Sequence, residues 1–269
     1  MEQTGPFMDV KVLIEEEIRV TLAEYSSRKT IQSTWRDPLV GYARASDPLF
    51  GRLKRVAHPG HLLPVDLLKG ATSVIAFFLP FTKSIVSSNA QGELPSRQWA
   101  SAYRETNELI TLINSRLASK LQSQGFHAST IPPTHNFDPV RLVSAWSHRH
   151  AAYIAGLGAF GLHRLLITEQ GCCGRLGSLV ADLEVTPTPR PEGQSCLYHT
   201  GGSCTACIAH CTSGALSIKD FDRQGCYRVL LDNERTLGLE GHTDVCGKCA
   251  CGVPCSLENP VKRLKYLKI

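Results

Sequence analysis

Nine of the eleven cysteines in this 269-residue chain lie between positions 196 and 255. They are Cys196, Cys204, Cys207, Cys211, Cys226, Cys246, Cys249, Cys251 and Cys255. The centre of the group is Cys204-x2-Cys207-x3-Cys211, and a Cys246-x2-Cys249 pair follows. Eight thiolates suffice for two [4Fe–4S] clusters at four each. A C-x2-C-x2-C run wraps one cube, and a cysteine three residues further on points to the other. Here Gly201 stands at the first position of such a run. Cys196 can replace it by looping back through His199, Thr200, Gly201 and Gly202. Crossing then assigns Cys196, Cys204, Cys207 and the distant Cys255 to one cluster. It assigns Cys211, Cys226, Cys246 and Cys249 to the other. Two CxxC pairs also suit a zinc ribbon, but one ribbon leaves Cys196, Cys211, Cys226 and Cys255 idle. Cys251 is left over, and Cys172-Cys173 lie in a separate Gly171–Gly174 turn, where small residues suit tight geometry.

The rest of the chain bounds the setting. It has 42% apolar and 20% charged residues, as soluble globular domains do. The net charge of +5 is too mild to imply nucleic-acid binding by itself. Lys262, Arg263, Lys265 and Lys268 crowd the C-terminus, which reads as a solvated helix face or a docking tail. The start is polar and the longest apolar run, Val74 to Phe81, contains Pro80, so neither a signal peptide nor a membrane span is expected. The expected location is cytoplasmic, where a cysteine cluster binds metal more often than it forms disulfides.

Apolar periodicity predicts helices over 8–28, 97–123 and 142–154. Strands are predicted over 72–79, 127–131, 165–168 and 177–185, and 33–70 reads as irregular. This alternation indicates an α/β (α+β) layer structure. Three prolines between 187 and 191 mark a linker. The expected domains are therefore 1–190, holding a cofactor, and 191–269, a ferredoxin-like module with two [4Fe–4S] clusters.

Gly156-x-Gly158-x-x-Gly161 matches the dinucleotide fingerprint as a string. That mechanism needs a strand before the first glycine, whereas Ala151–Ala155 reads as a helix. The glycines instead read as close-approach points for a large flat cofactor, or as tight turns. Gly177 and Ser178, in Gly174-Arg175-Leu176-Gly177-Ser178, form a second such point. With Arg149, these loops are the expected cofactor wall. Asp138, His148 and Tyr153 are the proton-donor types nearby.

The segments Cys196–Leu216, the lone Cys226 and Val245–Cys255, together with Ser147–Leu162, resemble the epoxyqueuosine reductase family in a short form. The resemblance covers about residues 72–255. It implies an α/β cobalamin- or flavin-type domain joined to a two-cluster ferredoxin module. Electrons from a ferredoxin or flavodoxin would pass through the clusters to a corrinoid, which acts on a small molecule or modified nucleoside. Reductive dehalogenases are more distant relatives. Three departures stand out. The family's catalytic aspartate falls at Leu142, His148 replaces the glutamate of its Glu-Arg pair, and the spacing to the last cysteine is two residues longer. The expected function is an iron–sulfur oxidoreductase. The alternative is an electron-transfer or metallocofactor-assembly protein with no substrate of its own.

Overall fold

The computed structural model describes residues 9–266. Met8 and Lys268, included in the readings above, lie outside this range. Helix α1 (Val10–Ser26) is capped by the Asp9 side chain and buries Leu13, Ile14, Ile18, Thr21 and Tyr25, one stripe at helical spacing. Strand β1 (Leu39–Arg44) follows, then α2 (Pro48–Val56) and the single turn α3 (Pro64–Leu67). This corrects the reading of 33–70 as irregular. The Asp47 cap with Pro48 at the first helical position, and Phe50 and Leu53 turned inward, make α2 a helix despite its charge.

Strand β2 (Ser73–Pro80) is buried along its whole length. Helix α4 (Lys83–Ser88) leads into α5 (Arg97–Ser123), whose first turn is capped by Ser96. Gly125, at φ 86°, ends α5, and the Phe126 N–H returns to the Leu121 carbonyl at 3.0 Å. Then come β3 (Ala128–Thr130), a hairpin of β4 (Phe137–Asp138) and β5 (Val143–Ser144), and α6 (His148–Ile154). The expected 142–154 helix is thus shorter. Its first residues pair with β4, and Ser147 caps the helix that remains. Strands β6 (Gly158–Phe160), β7 (Leu166–Thr168) and β8 (Gly174–Ala181) complete this half.

The main sheet has order β1-β2-β8-β3 and is antiparallel throughout. Side chains alternate across it. Ile75, Phe77 and Leu79 of β2 join α1 and α5 residues on one face. Val74, Ala76 and Phe78 join α2 and α6 residues on the other. Two covered faces explain why β2 reads as a continuous apolar run. Each buried phenylalanine contributes roughly 1.5–3 kcal/mol.

After Ala181 the chain is irregular, but the proline segment is tied down. Thr188 N–H donates to the Tyr42 carbonyl at 2.9 Å, and Arg190 pairs with Asp47 at 2.7 Å. The cysteine-rich part holds α7 (Ala206–Ala209), α8 (Arg223–Leu237) and α9 (Pro260–Tyr266). It shares an apolar cluster with the first part: Phe81, Trp99, Ala100 and Ala102 pack with Cys196, Cys207, Leu216, Val245 and Cys251. No helix among the described residues is long and apolar enough to cross a membrane.

Candidate metal centres and cofactor cleft

The turn after Cys196 is closed by Thr200 N–H to the Cys196 carbonyl and Gly202 N–H to the Leu197 carbonyl. It brings the chain back to Cys204, and α7 presents Cys207. The Val253–Pro254 turn delivers Cys255 to the same place. Cys196, Cys204, Cys207 and Cys255 line one small pocket with Leu162, His163, Leu197, Ala206 and Val253. Burial pushes the Cys207 thiol up to about 11, reinforced by its neighbours Cys255, Cys196 and Cys204.

The other four thiols gather at the first turn of α8 and the turn of 246–249. Burial pushes Cys226 up to about 11, with Cys246, Cys211 and Asp222 adding to it and Arg149 opposing. Burial also pushes Cys249 up, followed by Cys246, Cys226, Cys211 and Cys207. Cys196, Cys204, Cys207 and Cys255 thus lie together, and Cys211, Cys226, Cys246 and Cys249 lie together. Thiolates this close repel one another and need a cation to hold them ionised. Four soft sulfur donors in an apolar surround fit a [4Fe–4S] cube.

The Cys246–Cys249 turn is shaped by α4 and α5. Gly247 has φ 71°, and a Cβ there would strike the Trp99 ring. The buried Lys248 Nζ donates to the carbonyls of Asn89 and Gln91 at 3.1 and 2.7 Å. Asn89 Nδ2 donates to the Cys246 carbonyl at 2.8 Å.

Between the hairpin and α6 lies a cleft of two cavities, of about 400 and 670 Å³. Phe137, Leu142, Ser144, Ser147 and Arg149 line both. Arg175 and Cys172 face the first, and Arg223 and Cys226 the second. Arg149 is solvent-accessible yet desolvated, as befits a side chain on a cleft floor. Burial, then Arg223 and Arg175, pull it below the usual guanidinium range. Its Nη1 donates to the Arg164 carbonyl at 3.0 Å. Arg175 stacks on the Tyr103 ring at 4.2 Å, and its buried Nε has no partner. The volumes fall in the range of ligand pockets. The three guanidinium groups and the orphan Nε suit a large cofactor with anionic or carbonyl groups.

Of the residues expected to form the wall, Arg149 and Gly161 line the cleft. Ser178 lies behind it, accepting from Trp146 Nε1 at 3.0 Å and meeting His148 Nδ1 at 2.8 Å. The remaining glycines are closed off by the chain itself. A Cβ on Gly156 would meet the Pro189 carbonyl at 2.8 Å, and one on Gly158 the Ile167 carbonyl. One on Gly177 would strike the Phe77 ring. Helix α6 precedes Gly156 and strand β6 follows it, the reverse of a dinucleotide site.

Sequence reasoning singled out His148 but missed His58, His61, His135 and His199 of the cleft. His58, His61, His135, His148, His150 and His199 all line it. His148 is locked neutral, because Nε2 donates to the Pro132 carbonyl at 2.9 Å and Nδ1 accepts from Ser178. Burial lowers it to about 4. His135 Nε2 stands 3.6 Å from Asp244 Oδ1. Asp138 is instead a turn residue, accepting from the N–H groups of Val140 and Arg141.

The three remaining cysteines share one buried seam. Cys172 N–H donates to the Cys255 carbonyl at 2.9 Å and Cys173 N–H to the Ser256 carbonyl at 3.1 Å. Cys173 Sγ lies 3.1 Å from the Ala250 carbonyl and 3.9 Å from Cys251 Sγ.

No family model and no curated protein matches the chain. Among solved structures it is similar to an epoxyqueuosine reductase from Bacillus subtilis, with TM-score 0.53 and 19% identity over 90% of this chain and 66% of that one. The counterpart from Streptococcus thermophilus gives 0.52 and 16% over 97% and 73%. A reductive dehalogenase described with B12-dependent dehalogenation gives 0.56 and 18% over 86% of this chain and 32% of that one. An epoxyqueuosine reductase solved with a modified tRNA stem loop gives 0.54 and 19%. The chain spans about two thirds of the length of the reductases and a third of the dehalogenase. At these identities the likeness establishes the fold: mixed α/β with antiparallel sheets.

Proposed function

We propose that this chain is an iron–sulfur oxidoreductase that passes single electrons through two [4Fe–4S] clusters to a cofactor in the cleft. The observation that carries the reading is the grouping of eight cysteines as two sets of four, one of which reaches the cleft through Cys226. Cys196, Cys204, Cys207 and Cys255 would hold one cluster, and Cys211, Cys226, Cys246 and Cys249 the other, in a ferredoxin-like module. The cofactor is a corrinoid, on the strength of the fold shared with epoxyqueuosine reductases and a B12-dependent dehalogenase. Bound there, the clusters supply one-electron steps and the corrinoid a strong reductant for a small molecule or modified nucleoside. Arg149, Arg175 and Arg223 bind and orient its polar periphery. Leu142, Phe137 and Leu166 keep water away. His135, whose Nε2 stands 3.6 Å from Asp244 Oδ1, is the imidazole at this end of the cleft. The electrons come from a ferredoxin or flavodoxin-type donor, in the cytoplasm.

A second reading is a carrier or assembly protein without its own substrate. It is favoured by Leu142, which lines both cavities where the resemblance leads one to expect an acid.

Anaerobic purification tests the first reading. About eight irons per chain are expected, together with a change in the cob(II)alamin spectrum and co-elution on titration. A colourless zinc protein removes the cluster reading. An unchanged cob(II)alamin spectrum without co-elution removes the corrinoid and leaves the carrier. Cys255→Ser should deplete the cluster of Cys196, Cys204 and Cys207, and depletion of the other set alone would overturn the crossed wiring.

A further inference from the structure

His163 lies outside the cleft, and the resemblance assigns it no role. It is 4% exposed, between β6 and β7, and its ring faces the first cysteine set. Its Nδ1 accepts the Leu165 backbone N–H at 3.1 Å. That bond requires a lone pair on Nδ1, so the hydrogen of the neutral ring resides on Nε2. Nε2 in turn lies 3.3 Å from Cys255 Sγ, within hydrogen-bond range for sulfur. The ring is held from behind as well. A Cβ on Gly161 would stand 2.7 Å from its Cε1. Gly161 is therefore glycine where the imidazole needs the space.

Cys172 Sγ completes a trio with these two atoms, all within 4.8 Å of one another. Such a trio has the shape of a separate three-ligand metal site. Cys255 also lines the pocket of Cys196, Cys204 and Cys207, however, and one thiolate cannot serve a cube and an isolated ion independently. The imidazole is better read as a donor to a cluster ligand than as a ligand.

We infer that His163 is a positioning residue that acts through Cys255, donating its Nε2–H to the ligand sulfur and raising the reduction potential of that one cluster. The physical reason is charge. Reduction adds an electron to the cube and its thiolates, and an N–H aimed at sulfur stabilises the reduced form more than the oxidised one. The bond is fixed before the electron arrives, because the Leu165 N–H and Gly161 hold the ring in place. No comparable imidazole addresses the second set among the described residues. The side-chain neighbours of Cys211 and Cys246 are the hydroxyls of Ser213 and Thr212, at 3.3 and 3.7 Å.

The inference rests on the two-cluster reading, and potentiometric EPR of anaerobic holoprotein separates the two. Wild-type protein without iron would defeat the cluster reading itself. Given two clusters, His163→Ala and His163→Phe should keep the iron content and shift one midpoint potential downward. The shifted signal should be the one that Cys255→Ser perturbs. His163→Gln, which retains an N–H, should shift less. Gly161→Ala, which displaces the ring, should shift the same cluster in the same direction. Unmoved potentials, or equal shifts in both clusters, would overturn the inference. So would loss of one cluster in every His163 variant, since His163 would then be a ligand.

Discussion

His148 is a residue whose environment strongly alters its chemistry. Its two nitrogens are committed to Ser178 and Pro132, and burial lowers it to about 4. The unfolded chain takes up that proton near pH 6.5 and the native chain does not. Native stability is therefore complete above pH 6.5 and falls as the pH drops from there towards 4. From pH 7.5 to 5.5 this one group should remove about 1 kcal/mol. The measurement is chemical unfolding of anaerobic protein at both values. His148→Asn should flatten that dependence, and an equal loss in the variant would show that other groups cause it.

The elements around the two cysteine sets are joined by a few buried polar side chains rather than by long helices. Asn89, at the end of α4, is fully buried. Its Nδ2 serves the Cys246 carbonyl and its Oδ1 accepts the N–H of Ser96, the cap of α5, at 3.0 Å. One amide thus links the start of α5 to the turn that carries Cys246 and Cys249. Asn89→Ala leaves the half-buried Cys246 carbonyl and Ser96 N–H without these partners. The expected loss is about 2–4 kcal/mol, read as a lower unfolding midpoint. Iron should be lost first from the cluster of Cys226, Cys246 and Cys249. Asn89→Asp keeps the acceptor for Ser96 but not the donor for Cys246, and should separate the two effects.

At the scale of the molecule, the cysteine-rich part completes the core of the first part. The turn Gly171–Gly174 is the seam, with two backbone hydrogen bonds to residues 255 and 256. Gly171 has φ 82°, and a Cβ there would sit 2.5 Å from the Ser256 carbonyl and 2.6 Å from the Leu257 and Glu258 amides. Those are backbone atoms and cannot turn aside. Gly171→Ala should cost about 2–4 kcal/mol through crowding and a strained φ. It should also lower iron occupancy at Cys255 before Cys226. A normal midpoint with both clusters intact would show that the seam is not required for docking.

Much of this was legible in the chain. The cysteine spacing suggested two sets of four thiols, because a cube's geometry limits which intervals can share it, and the proposed clusters rest on that expectation. Apolar periodicity located α1, α5 and β2, whose buried stripes are long enough to declare themselves. Gly125 marked the end of α5 for the same local reason. The tertiary structure decided what local pattern cannot hold. Gly156, Gly158 and Gly177 spell a cofactor loop, but the atoms filling the missing Cβ positions are Pro189, Ile167 and Phe77. His148 was legible beside Arg149, but His58, His61, His135 and His199 come from three other stretches of sequence, so no spacing announces them. Cys172 and Cys173 read as tight-turn residues until the fold sets them against Cys255, Ser256 and Cys251. The cysteine intervals are a matter of short-range chain geometry. The cleft, and the side of the module that meets it, depend on contacts between residues far apart in sequence.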